Sequence, residues 1–205
     1  MNLIVIDDFY RDPEAVRALA LKADYRDVSQ LNYPGFQSHK TYTSEGVVKK
    51  FSDLIQRKLA VSPETLTFGK FRIMLKESGS RLKVHLDGMS DWTGVLYLNP
   101  QDFCEGGTAF YRHKATGLEG PATSEQIRQY GFSNWLQMEQ NIIDQDTLNP
   151  DAWEETMFVG MKFNRLVLFR GNEMFHCHTH SFGSGKEDGR MTQNFFFDEA
   201  KNDVV

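Results

Sequence analysis

Residues 85–99 run His85-Leu86-Asp87-Gly88-Met89-Ser90-Asp91-Trp92-Thr93-Gly94-Val95-Leu96-Tyr97-Leu98-Asn99. On an extended strand, residues i and i+2 point to the same face. His85 and Asp87 therefore project side by side and offer one imidazole nitrogen and one carboxylate oxygen. The run from Trp92 has the aromatic and branched apolar content of a second strand. A further imidazole from a distant strand would complete two histidines and a carboxylate. That set holds one face of an octahedral metal and leaves the opposite face open. The stretch His176-Cys177-His178-Thr179-His180 is the source of such an imidazole.

Alone, His-x-Asp says little. With 6 His and 15 Asp in 205 residues, chance supplies roughly half of one such tripeptide. The surrounding order carries the weight. Upstream runs Phe71-Arg72-Ile73-Met74-Leu75-Lys76, then a turn at Ser78-Gly79-Ser80. Downstream come Gly106-Gly107-Thr108-Ala109-Phe110-Tyr111, then Arg165-Leu166-Val167-Leu168-Phe169, the histidine group, and Arg190-Met191-Thr192-Gln193-Asn194-Phe195-Phe196-Phe197. Each is a short apolar or aromatic run bounded by turn residues, the signature of a strand.

The order H-x-D, Y-L-N at 97–99, G-G-T-x-F at 106–110, R-L-V-L-F at 165–169, His, and G-R-x-T-x-x-F-F-F at 189–197 resembles the Fe(II)/2-oxoglutarate-dependent dioxygenases, in particular the prolyl-4-hydroxylase-like branch. The resemblance covers about residues 66–198. It implies a mainly β fold with flanking helices, a double-stranded β-helix (jelly roll) core with N-terminal helices packed on one face. It implies that His85, Asp87 and one histidine of the later group hold Fe(II). The spacing after the L-V-L-F strand and the Arg170-Gly171-Asn172 turn favours His176, with His178 as the alternative. Arg190 would bind the distal carboxylate of 2-oxoglutarate, because a planar fork of donors suits a carboxylate, and Thr192, two residues on, would add a hydroxyl. Many relatives carry a tyrosine contact to 2-oxoglutarate where this chain has Lys76; Tyr97 or Tyr111 would supply it here. The implied reaction consumes O2 and 2-oxoglutarate, releases succinate and CO2, and hydroxylates an unactivated C–H bond of an amino acid, a peptide side chain or a natural-product intermediate. Asp87 argues for hydroxylation, since chlorinating relatives lack the carboxylate. Phe110, Arg112, His113, Trp92, Trp135 and Trp153 are candidates for the substrate side.

Composition agrees with one ordinary globular domain: 40% hydrophobic and 25% charged residues, with 16 Phe. The formal net charge of -5 gives no global attraction to nucleic acid or anionic lipid, so neither is an expected partner; a small molecule or peptide is. Cys104 and Cys177 are the only cysteines, and reduced thiols are expected. The first residues carry acids rather than a basic segment, and no stretch is long and apolar enough to span a bilayer, so a cytoplasmic location is expected.

Residues 2–6 read as a strand. Asp12-Pro13-Glu14 opens a helix, with Asp as cap and Pro at its first position. Residues 25–43 read as irregular, with a turn at Tyr33-Pro34-Gly35-Phe36. Thr43-Ser44-Glu45 leads into a second helix to about Leu59. These first 65 residues would support the β-core. Residues 114–152 break the strand pattern with helical segments near Ser124–Arg128 and Trp135–Ile143, and read as a lid-like insertion. Strands resume at Met157. Two other readings use the same residues. A metal-binding jelly roll without oxygenase activity (a cupin-like isomerase or a sensor) needs the ligands but not Arg190. An interaction domain with a decayed iron site needs neither. A zinc hydrolase lacks its H-E-x-x-H helix.

Overall fold

The computed structural model describes residues 1–29, 35–61, 67–78, 83–88 and 90–200. The expected turns at 33–36 and 78–80 fall partly outside these residues. Two antiparallel sheets form the body of the molecule. The larger has eight strands: β1 (Leu3–Ile6), β2 (Tyr25–Asp27), β3 (Phe36–Ser38), β4 (Leu59–Ala60), β5 (Phe68–Met74), β6 (Trp92–Tyr97), β9 (Leu166–Phe169) and β11 (Arg190–Glu199). Its order is β1-β9-β6-β11-β5-β3-β2, with β4 pairing the end of β11. The smaller contains β7 (Gly107–His113), β8 (Trp153–Gly160) and β10 (His176–His178), in the order β10-β7-β8. His85 extends it through a bridge to His176, each donating its backbone N–H to the other's carbonyl at 3.1 and 3.0 Å.

Alternation along the strands decides what each face carries. On β11, Met191, Phe195 and Phe197 turn to one side with Phe71 and Ile73 of β5, Trp92 and Leu96 of β6, and Leu166 and Leu168 of β9. Helices α1 (Pro13–Lys22) and α2 (Glu45–Ile55) cover that face. Phe51 of α2 is fully buried at its centre and meets the rings of Phe9, Phe68, Phe195 and Phe197. Gly94 makes this fit possible: a Cβ there would stand 3.3 Å from the Phe51 ring. The opposite face of β11 carries Arg190, Thr192 and Asn194, and looks into the space between the sheets. That space is closed on its apolar side by Tyr97, Phe110, Val167 and Phe169. Helices α3 (Ser124–Gln129) and α4 (Trp135–Asp146), from the 114–152 segment, pack on the outer face of the small sheet with Val84, Leu86, Tyr111, Trp153 and Phe175.

The local signals for α1 act as read: the Asp12 carboxylate accepts from Ala15 N at 3.0 Å, and Pro13 takes the first turn. Three boundaries differ. The second helix stops at Ile55 rather than near Leu59, because Gln56 turns left-handed (φ 55°) and residues 59–60 pair with β11. The segment 25–43 contains β2 and β3, short strands of mixed polarity that lack an alternation signal. Strand β8 starts at Trp153, since residues 154–158 are an exposed edge and carry no apolar pattern. Among the described residues no helix is long and apolar enough to cross a membrane.

Candidate metal centre

The bridge between residues 85 and 176 sets the site. It brings the imidazole rings to a centroid separation of 4.5 Å. Asp87 lies two residues along the same segment, held by its N–H donating to the Gly171 carbonyl at 2.9 Å. His176 Nε2 stands 3.3 Å from Asp87 Oδ2, and His85 Nε2 stands 3.6 Å from Asp87 Oδ1. All three ligand atoms lie within 4.8 Å of one another. Ligands about 2.1 Å from one metal and at right angles to each other are separated by about 3 Å, so small rotations convert this cluster into a facial ligand set.

The tautomers are fixed from behind. Nδ1 of His85 donates to the Lys83 carbonyl at 2.7 Å, and Nδ1 of His176 donates to the Met174 carbonyl at 2.8 Å. Both Nε2 atoms are thereby left to face Asp87, the arrangement that outer hydrogen bonds impose on metal-binding histidines. Thr93 of β6 donates its hydroxyl to Asp87 Oδ2 at 2.6 Å. Burial pushes the Asp87 carboxyl up, but the neighbouring imidazoles, His176 first, outweigh it and hold the group well below the ordinary carboxylate range.

Gly171 is required here. A Cβ at that position would stand 2.3 Å from Thr93 Oγ1 and 2.7 Å from Asp87 Oδ2. Neither Thr93 nor Gly171 was marked by a motif. Thr93 shares the strand parity of Val95 and Tyr97, which is the one signal that points it inward.

The same cavity holds two guanidinium groups, Arg190 of β11 and Arg72 of β5. Arg190 is 4% exposed. Its guanidinium lies over the Tyr97 ring at 5.6 Å, its Nη1 meets the Met74 sulfur at 3.8 Å, and its Nε has no hydrogen-bond partner among the described residues. No carboxylate pairs with it among those residues. Burial drives its pKa below the ordinary value, with Tyr97 opposing. A buried cation with an orphaned donor is costly unless an anion fills the space beside it. Arg72 was not anticipated; it sits opposite Thr192 in the β5–β11 register.

The other sequence candidates fall in different places. His178 lines the cavity but its Nε2 meets Ser181 Oγ at 3.2 Å, outside the three-atom cluster. Burial, with help from Arg190, pulls its pKa down to about 3, so it is neutral. His180 is exposed. Thr192 gives its hydroxyl to Asn194 Oδ1 at 2.8 Å, and Asn194 is the one that lines the cavity. The Tyr97 hydroxyl lies 2.8 Å from Thr108 Oγ1 at the cavity wall, whereas Tyr111 faces the outer cluster beside Cys177. Lys76 is exposed at a turn. Phe110, Arg112, His113, Trp92, Trp135 and Trp153 do not line this cavity. Arg112 pairs with Glu119 and Glu154 at the surface, and His113, which shares the parity of the outward-facing Ala109 and Tyr111, bonds Thr116 and Asp146 on the outer face.

No curated protein matches the sequence. Solved structures of similar shape include the Fe(II)/(alpha)ketoglutarate-dependent dioxygenase TqaL, 11% identical over 100% of this chain and 85% of that one, at a TM-score of 0.45. IDO from Bacillus thuringiensis is 10% identical over 98% and 91%, at 0.44. AAD-2, in complex with Mn(II) and N-oxalylglycine, is 8% identical over 90% and 100%, at 0.30. At these scores the account of the site rests on the chain's own residues. A family model matches residues 1–197, and by that match the chain belongs to the family of unknown function DUF6445.

Proposed function

We propose that this chain is an Fe(II)/2-oxoglutarate-dependent oxygenase that hydroxylates an unactivated C–H bond of an amino acid, peptide side chain or natural-product intermediate. The observation that carries this is one cavity holding both halves of the machinery. Two Nε2 atoms and a carboxylate converge on one point, and a buried arginine without a counter-ion among the described residues stands across the same space. The strand order supports a double-stranded β-helix, since the chain passes between the two sheets repeatedly from β5 to β11.

His85, Asp87 and His176 would hold the iron. Bound there with 2-oxoglutarate and O2, it supplies the oxidising chemistry for C–H hydroxylation, with succinate and CO2 as co-products. The protein's own contributions are positional. The Lys83 and Met174 carbonyls hold the two Nδ1–H groups and so keep both Nε2 atoms aimed at the site. Thr93 occupies one lone pair of Asp87 and fixes the carboxylate plane. Arg190 offers its fork to the far carboxylate of 2-oxoglutarate. Met74, Val95, Phe169 and Phe196 exclude water from the walls.

The test is Arg190→Ala, reconstituted anaerobically with Fe(II) and assayed for succinate. The variant should keep its iron and lose about 100-fold in 2-oxoglutarate use, the scale of a lost charge-assisted bidentate contact. Unchanged succinate formation would remove 2-oxoglutarate from the account and leave a metal-binding jelly roll of another activity.

A further inference from the structure

A second cavity, of about 260 Å3, adjoins the first. Lys83, His85 and Leu86 bound it on one side, and Leu136, Glu139 and Ile143 of α4 on the other. His85 lines both cavities. A space just under the usual range for drug-sized ligands, about 300–1,000 Å3, suits a compact molecule.

Helix α4 is held firmly at this wall. Met138 and Ile142 bury its inner face. Just past its end, Thr147 Oγ1 donates to the Val84 carbonyl at 2.8 Å, and Val84 N donates to the Thr147 carbonyl at 3.2 Å. The helix is thus clamped to the residue next to His85. Glu139 is half-buried on the cavity side. Burial pushes its carboxyl up, and the Trp135 side chain, one turn back, is the donor that opposes this. Among the described residues no lysine, arginine or histidine forms an ion pair with it. A partly desolvated carboxylate without a counter-charge gains most from a cation delivered by a ligand.

We propose that this cavity is the substrate subsite and that Glu139 receives the ammonium group of an amine-bearing substrate, with Leu86, Leu136 and Ile143 covering its aliphatic part. The inference rests on the reading of the first cavity as the iron centre.

The test uses the full chain loaded with Mn(II) and 2-oxoglutarate without turnover. The twenty common L-amino acids, their N-acetyl derivatives and the matching amines without a carboxylate are titrated calorimetrically. At least one free amine should bind, and its N-acetyl derivative should bind at least 10-fold more weakly. Glu139→Gln should weaken the amine at least 10-fold while metal and 2-oxoglutarate affinities stay at wild-type values. Glu139→Asp should restore part of the loss. N-acetyl derivatives binding as tightly as free amines, a Gln variant with unchanged amine affinity, or no binding by the whole panel to a protein that has taken up metal and 2-oxoglutarate would each overturn the proposal. Failure to take up metal and 2-oxoglutarate at all would instead overturn the iron reading, and this inference with it.

Discussion

One added carbon at Gly171 separates the site from a failed copy of itself. Alanine there must displace Thr93 or Asp87, because its Cβ would stand within 2.7 Å of both side chains. Gly171→Ala should weaken Mn(II) binding about 10- to 100-fold, the usual cost of disturbing the groups behind a metal ligand. Unchanged affinity in a metal titration would show that Asp87 is not a ligand. The histidines separate in the same assay: His176→Ala should abolish binding of one metal ion per chain, while His178→Ala should retain it. At this scale strand parity made the pairing of His85 with Asp87 legible, whereas the choice of His176 over His178 and the part given to Arg190 came only from the resemblance, because residues 176, 178 and 180 share one parity. Gly171, Thr93 and Arg72 were not legible. Their roles arise from contacts between segments far apart in sequence, and a glycine needed for clearance looks in sequence like any turn glycine.

At the scale of elements, the strands around β11 follow their alternation closely, which is why the core and pocket faces were readable. The burial of Phe51 joins α2 to four other phenylalanines. Phe51→Ala should cost about 3–5 kcal/mol of unfolding free energy in urea titration; a loss below 1 kcal/mol would mean that α2 is not seated on the sheet. A second joint ties the end of β1 to the loop before β9. Asp7 accepts from Arg165 Nε at 2.6 Å and from Lys162 Nζ at 2.8 Å. These partners, Arg165 first, hold its carboxyl well below the ordinary aspartate value of 3.8. The unfolded chain therefore binds the proton more readily, so the pair stabilises the fold above that value and loses its effect as pH falls below it. Asp7→Asn should lower the melting temperature at pH 7, and the gap from wild type should narrow as pH drops below about 4. A gap that widens in acid would reverse the sign. The missed strands β2 and β3 are short and mixed in polarity, and their pairing comes from the sheet edge rather than from their own residues. The position of α4 was likewise unreadable, since periodicity gives a helix but not the sheet face on which it docks.

Across the whole molecule, the layers place two apolar clusters outside the sheets and leave the polar cavity between them. That cavity collects charge that folding alone does not neutralise at Arg190, so ligands should stabilise the protein by mass action. Saturating Mn(II) with 2-oxoglutarate, at about 100 times the dissociation constant, should add about 2.7 kcal/mol, visible as a rise in melting temperature that His176→Ala abolishes. The most direct measurement is anomalous diffraction at the iron edge from crystals grown anaerobically with Fe(II) and 2-oxoglutarate. The account predicts one peak bonded to His85 Nε2, an Asp87 carboxylate oxygen and His176 Nε2, with a carboxylate of 2-oxoglutarate on Arg190. A peak elsewhere, or one ligated by His178 in place of His176, would contradict it.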